Sequence, residues 1–139
     1  MSKTLDRNGI MNQPRISESG ENFCQEVFGH MMEQSHAVYG VLISTVDGHD
    51  VTKRFKREMP AAKLAAMMGS VLALGETIAK EAQQERCRYV IVENSDGFIL
   101  TLKLKEKLVL TVIASADANL GLLHTLSRNA VEKLAKSLR

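Results

Sequence analysis

A chain of 139 residues fits one domain and can bury roughly two-thirds of the surface it exposes when unfolded, enough for an ordinary core. A net charge of +2 is too near neutrality for a general nucleic-acid or membrane binder, so partner choice must come from local surfaces. Cys24 and Cys87, the only cysteines, have neither a disulfide framework nor a metal-ligand spacing, and read as reduced thiols of a cytoplasmic protein.

The opening stretch, MSKTLDRNGIMNQPRISESGEN, lacks the apolar segment of a signal peptide and carries Gly9, Pro14 and Gly20. Residues 1–20 are therefore expected to form a flexible polar tail and residues 21–139 the folded domain. Phe23, Val27 and Met31, flanked by Cys24 and Phe28, recur at helical spacing. They predict a first helix, capped by Ser17 or Ser19 and ending near His36. AVYGVLISTV then switches to a β-rich run, Asp47-Gly48 signals a hairpin, and HDVTKRF is the returning strand.

Pro60 marks the entry to a long second helix, expected to reach about Glu85. Its segment LAAMMGSVLALG, Leu64 to Gly75, carries no charge, so it should be covered on two sides. The run is well short of the ~20 residues a bilayer crossing needs. At about 100° per residue, Leu64, Met67, Met68, Val71, Leu74 and Ile78 gather on a bulky face, expected to meet the protein's own sheet. Opposite lies a narrow stripe of Ala66, Ser70, Ala73 and Thr77, which would let a second helix approach closely. Gly69 and Gly75 fit the same expectation, because each costs roughly 1 kcal/mol in a helix interior unless something packs against it.

RYVIVEN, GFILTLKLK and KLVLTVIASA follow as three strands of an antiparallel meander. Leu100, Leu102 and Leu104 alternate with Thr101, Lys103 and Lys105, which buries one face and leaves the other partly wet. The closing segment lines up Leu120, Leu123, Leu126, Ala130, Leu134 and Leu138, with Asn119 as N-cap. The order helix, two strands, helix, three strands, helix predicts an α+β domain of three layers. In it a five-stranded, mostly antiparallel sheet carries the long second helix on one face and the terminal helices on the other.

Chemistry is harder to find. The Gly-rich phosphate loop with its following Lys is absent, as is the dinucleotide fingerprint. His30, His36, His49 and His124 lack metal-ligand spacing, and a nucleophile elbow is missing. No catalytic residue, cofactor or metal site is assigned. The one concentrated charge run is KRFKR, with Lys53, Arg54, Lys56 and Arg57. It reads either as a solvated strand end or as a contact for an acidic partner, a protein rather than nucleic acid.

The strand and turn VLISTVDGHDV, the helix AAKLAAMMGSVLALGETIAKEA, the meander from Tyr89 and the segment ANLGLL at Ala118 to Leu123 together resemble the Roadblock (dynein light chain) family, in its bacterial MglB-like branch. Within that resemblance Asp47 and Gly48 make the hairpin turn, Asn119 caps, and Gly121 admits close packing in the first turn of the last helix. The resemblance implies a non-enzymatic homodimer that partners a small Ras-like P-loop GTPase, as regulator, activator or effector. In the family, second helices of two subunits lie against each other and the following strands join edge to edge. Ala66, Gly69, Ser70, Ala73 and Thr77 would then lie at or near a two-fold axis, with Tyr89 and Ile91 on the paired edge. Some members stimulate GTP hydrolysis on their partner without catalytic residues of their own, and others are structural adaptors of motor, motility or signalling complexes that act regardless of nucleotide. The implied setting is cytoplasmic, without membrane insertion.

Overall fold

The computed structural model describes residues 16–138. Its elements are α1 (Glu18–Gln34), β1 (Val38–Thr45), β2 (Asp50–Phe55), α2 (Ala61–Glu81), β3 (Tyr89–Asn94), β4 (Gly97–Lys105), β5 (Leu108–Ser115) and α3 (Leu120–Ser137). The strands form one sheet in the order β2-β1-β5-β4-β3, with every neighbouring pair antiparallel. This is the α+β architecture the element order implies.

Local chemistry sets the ends of these elements. The Ser17 hydroxyl accepts from Gly20 N–H, so α1 starts at Glu18 and residues 18–20, counted with the tail from sequence, are helical. Ile16 and Ser17 precede the helix as irregular backbone, and residues 1–15 of that expected tail lie outside the described residues. Asn119 caps α3 by accepting from Leu122 N–H at 2.9 Å. Pro60 stands at the cap position of α2, and its carbonyl accepts from Leu64 N–H.

The α2 helix ends at Glu81, short of Glu85, because Gln83 and Glu85 take left-handed φ values of 61° and 65°. The Glu76 carboxylate then accepts from Cys87 N–H and draws the chain back toward β3.

One face of the sheet carries the main core. Cys24, Phe28 and Met31 from α1 and Leu123, Ala130 and Leu134 from α3 close over Val41, Ile43, Leu100, Leu110 and Val112. Strand alternation turns Leu42, Thr101, Thr111 and Ile113 to the opposite face, where α2 lies across β1 to β4. Thr101 and Thr111 are fully buried there and share a hydroxyl hydrogen bond of 3.1 Å, which satisfies polar groups that burial would otherwise penalise. Lys103, beyond the cover of α2, stays exposed.

Candidate functional site

The face that α2 turns to the sheet is neither the bulky face nor the small stripe but the flank between them. Ala65, Met68, Gly69, Leu72 and Ala79 are its buried residues. Bulk does not decide the packing; closeness does. Gly48, at φ +95°, closes the turn after β1, and a Cβ on it would sit 3.0 Å from Ala66 Cα. A Cβ on Gly69 would meet the Val46 carbonyl oxygen at 3.0 Å. The helix and the turn therefore touch backbone to backbone, and a methyl group at either position would prise them apart. Gly75 makes a similar approach at the other end, where a Cβ would lie 2.7 Å from Cys87 Sγ.

This corrects the sequence reading in two respects. Gly69, placed at a dimer axis from sequence, faces its own chain. Met67, Leu74 and Ile78, expected under the sheet, are 53%, 59% and 58% exposed. Met68 does point inward, while Leu64 and Val71 are half-buried at the margin. The remaining stripe residues, Ala66, Ser70, Ala73 and Thr77, lie toward solvent beside the large side chains, all four exposed. The hydroxyls of Ser70 and Thr77 donate to the carbonyls of Ala66 and Ala73, each at 3.2 Å, so the donors of this stripe are already used within the helix.

The open face of α2 is thus a run of large apolar side chains flanked by small ones. By length and composition alone the helix is long and apolar enough to span a membrane. It rests instead on four strands, with the unburied part facing outward.

Beside that face runs β3, at one edge of the sheet. Every second residue of an edge strand turns its N–H and C=O away from the sheet. Val90, Ile91 and Val92 are half-buried, and Tyr89 is 39% exposed with its ring against His124, centroids 4.5 Å apart. Gly75 packs on Val90, so the C-terminal half of α2 and the edge of β3 form one continuous surface. Tyr89 and Ile91 belong to that edge, but their side chains lean toward α3 rather than α2. Cys87 borders the same surface; burial, and then the charge of Glu76, push its thiol above the ordinary range.

The other assigned residues lie apart. Lys53 and Arg54 on β2, and Lys56 and Arg57 after it, are exposed on the opposite edge. Asp47 is exposed at the turn, where the Thr45 hydroxyl holds its carboxyl below the usual range. A Cβ on Gly121 would meet only Asn119 Oδ1, at 3.3 Å, so this glycine spares the cap oxygen rather than admitting a neighbouring element. A groove of about 1020 Å³ lies between the start of α1, the end of α3 and the two strand turns, with Phe23, Val51, Leu108 and Leu138 in its wall. Among the described residues, no three His, Cys, Asp or Glu side chains gather into a group that could hold a metal.

The shape of the domain matches known structures far better than its sequence does. A structure described as MglB with tetrameric arrangement superposes with a TM-score of 0.82 at 18% identity, over 90% of this chain and 96% of the other. The chain has the Roadblock/LC7 fold, in its MglB-like form. The gliding protein MglB from Thermus thermophilus gives a TM-score of 0.81 at 17% identity, again over 90% and 96% of the two chains. A Roadblock/LC7 domain from Streptomyces avermitilis gives 0.75 at 15% identity, over 81% and 94%. No protein-family model and no curated protein matches the sequence. The Roadblock/LC7 fold is thus kept by the pattern of burial and turns rather than by identities.

Proposed function

We propose that this protein is a non-enzymatic homodimer that regulates or recognises a small Ras-like GTPase. The reading rests on one observation above all: the exposed apolar face of α2 runs alongside the open edge of β3. A monomer with that surface bare would expose both an apolar patch and unpaired backbone groups, and either is an association site. A second copy supplies a matching helix and a matching strand in one isologous contact. Ala66, Ser70, Ala73 and Thr77 let the two helices approach, while Met67, Leu74 and Ile78 fill the space around them. Gly69 drops out of this set.

The GTPase is the partner that the fold resemblance implies, with the dimer acting on the nucleotide-sensing surface of its partner and supplying no catalytic residue. Such a regulator must bind one nucleotide state better than the other, since only differential affinity couples binding to a switch. Immobilised protein is exposed to lysate of the source cell loaded with a slowly hydrolysed GTP analogue or with GDP, and retained proteins are identified by mass spectrometry. A small GTPase held mainly in the GTP-analogue sample supports the proposal, and a hydrolysis assay follows. Equal retention of other proteins in both samples replaces it with a structural adaptor.

A further inference from the structure

Lys53, Arg54, Lys56 and Arg57 crowd the β2 end of the sheet, with three strands between them and β3. That separation is roughly 19 Å at the usual strand spacing. The four cations exceed the net charge of +2, so the rest of the chain is net negative and the positive potential is concentrated here.

Contacts within the run distinguish it from a solvated strand end. The Arg57 guanidinium lies 3.7 Å from the centroid of the Tyr39 ring. Arg54 Nη1 donates to the Gln25 carbonyl at 3.2 Å and rests over Gly29, where a Cβ would come within 2.9 Å of it. Both guanidinium forks are held before any ligand arrives, which lowers the ordering cost of binding. A planar fork with fixed N–H directions suits a carboxylate.

The same contacts select among occupants. The Lys53 carbonyl, which points out of the sheet, accepts from Gln25 Nε2 at 3.0 Å, so an added strand finds that acceptor taken. The Tyr39 ring carries the Arg57 guanidinium and the Phe55 ring is half-buried, so neither offers the free stacking platform that a nucleic-acid base needs. The exposed large apolar side chains lie elsewhere in the fold, so a bilayer gains no wedge here. We infer that this surface docks an acidic segment of a partner protein, its carboxylates gripped by Arg54 and Arg57 while Lys53 and Lys56 add attraction. It works independently of the α2 and β3 surface, so one chain can hold two different proteins at once.

The test uses the full chain and a fluorescein-labelled ten-residue peptide of alternating Asp and Glu, followed by anisotropy at low salt. Saturable binding that weakens at least about tenfold in R54Q/R57Q, but less than about twofold in the equally charge-reduced R128Q/K133Q on α3, supports the inference. The charge-preserving R54K/R57K should still lose several-fold, because it keeps the potential and removes the forks. Circular dichroism and solution mass, unchanged in all variants, separate loss of docking from loss of fold or dimer. Equal weakening in R54Q/R57Q and R128Q/K133Q, no binding of the peptide, or tighter binding of a ten-nucleotide oligouridine or of anionic vesicles overturns it.

Discussion

The two edges of the sheet are opposites. At β2 the Lys53 carbonyl is occupied by a side chain from α1, the exposed side chains are cationic, and the Tyr39 ring on the neighbouring strand carries the Arg57 guanidinium. At β3 the residues from Tyr89 to Val92 are aromatic or β-branched and uncharged, with Glu93 and Asn94 exposed at the strand's end, and the neighbouring helix shows Met67, Leu74 and Ile78 to solvent. Bare edges invite pairing, and Lys-rich, covered edges refuse it. One sheet therefore has an edge open to another strand and an edge that discourages one.

The strongest way to break this comparison is to charge the open side. Ala73→Arg or Leu74→Arg places like charges across the proposed two-fold axis and costs on the order of 3 kcal/mol or more at the contact. The mass by light scattering should fall to that of a monomer; an unchanged dimer in both variants removes α2 from the interface.

Gly69 and Ala73 stand one turn apart on α2, yet Gly69 is buried against its own chain and Ala73, a little further round the helix, is exposed. Gly69→Val forces the helix off the Val46 carbonyl and should lower stability by about 1 to 3 kcal/mol in chemical denaturation. Gly48→Ala should do the same through its left-handed backbone. Neither should shift the dimer mass at concentrations where the chain is folded, and a monomer from Gly69→Val would return that residue to the axis.

Gln25→Ala uncovers the Lys53 carbonyl and removes the bonds that Gln25 Nε2 donates to Thr52 and Glu21, leaving the Thr52–Glu21 hydrogen bond in place. A loss of about 1 kcal/mol is expected. If β2 is kept closed by Gln25, the variant should also self-associate beyond the dimer at high concentration, visible as a rise in sedimentation coefficient.

The cysteines report on the two sides with the smallest effects. Burial, and then the charge of Glu21, push the Cys24 thiol from 9.0 up to about 11. With the folded value raised, the stabilisation is fully present below the unfolded thiol range near 9 and is lost as pH climbs toward 11. The loss amounts to at most about 3 kcal/mol, and Cys24→Ala should lack this slope. Cys87 borders the open side, so its slow modification by a thiol reagent should slow further as protein concentration rises, while Cys24 shows no such dependence. Concentration-independent labelling of Cys87 would detach the loop before β3 from the contact.

Much of this was legible in the residues themselves. Hydrophobic periodicity located all three helices and five strands, Asp47-Gly48 and Asn119 marked their turns and caps, and the alternation at Leu100 to Lys105 revealed a half-buried strand. The orientation of α2 was not legible, because both of its faces are apolar. Which one meets the sheet depends on the backbone contact between Gly48 and Gly69, residues far apart in sequence. The closing of β2 was hidden for a related reason, since Gln25 looks like any polar residue on a helix until the fold carries it to Lys53. The early end of α2 depends on two left-handed residues, neither of them glycine, which local propensity would not assign.

The covered carbonyl at Lys53 also bears on stoichiometry. A subunit with two receptive edges propagates: each addition exposes a fresh site, and the product is a ribbon of indefinite length. A subunit with one receptive edge can be extended once, after which both outer margins are closed and growth stops without any external terminator. In the proposed dimer the amide of Gln25 and the cations around it would discourage a further strand at β2, so that assembly stops at a discrete complex.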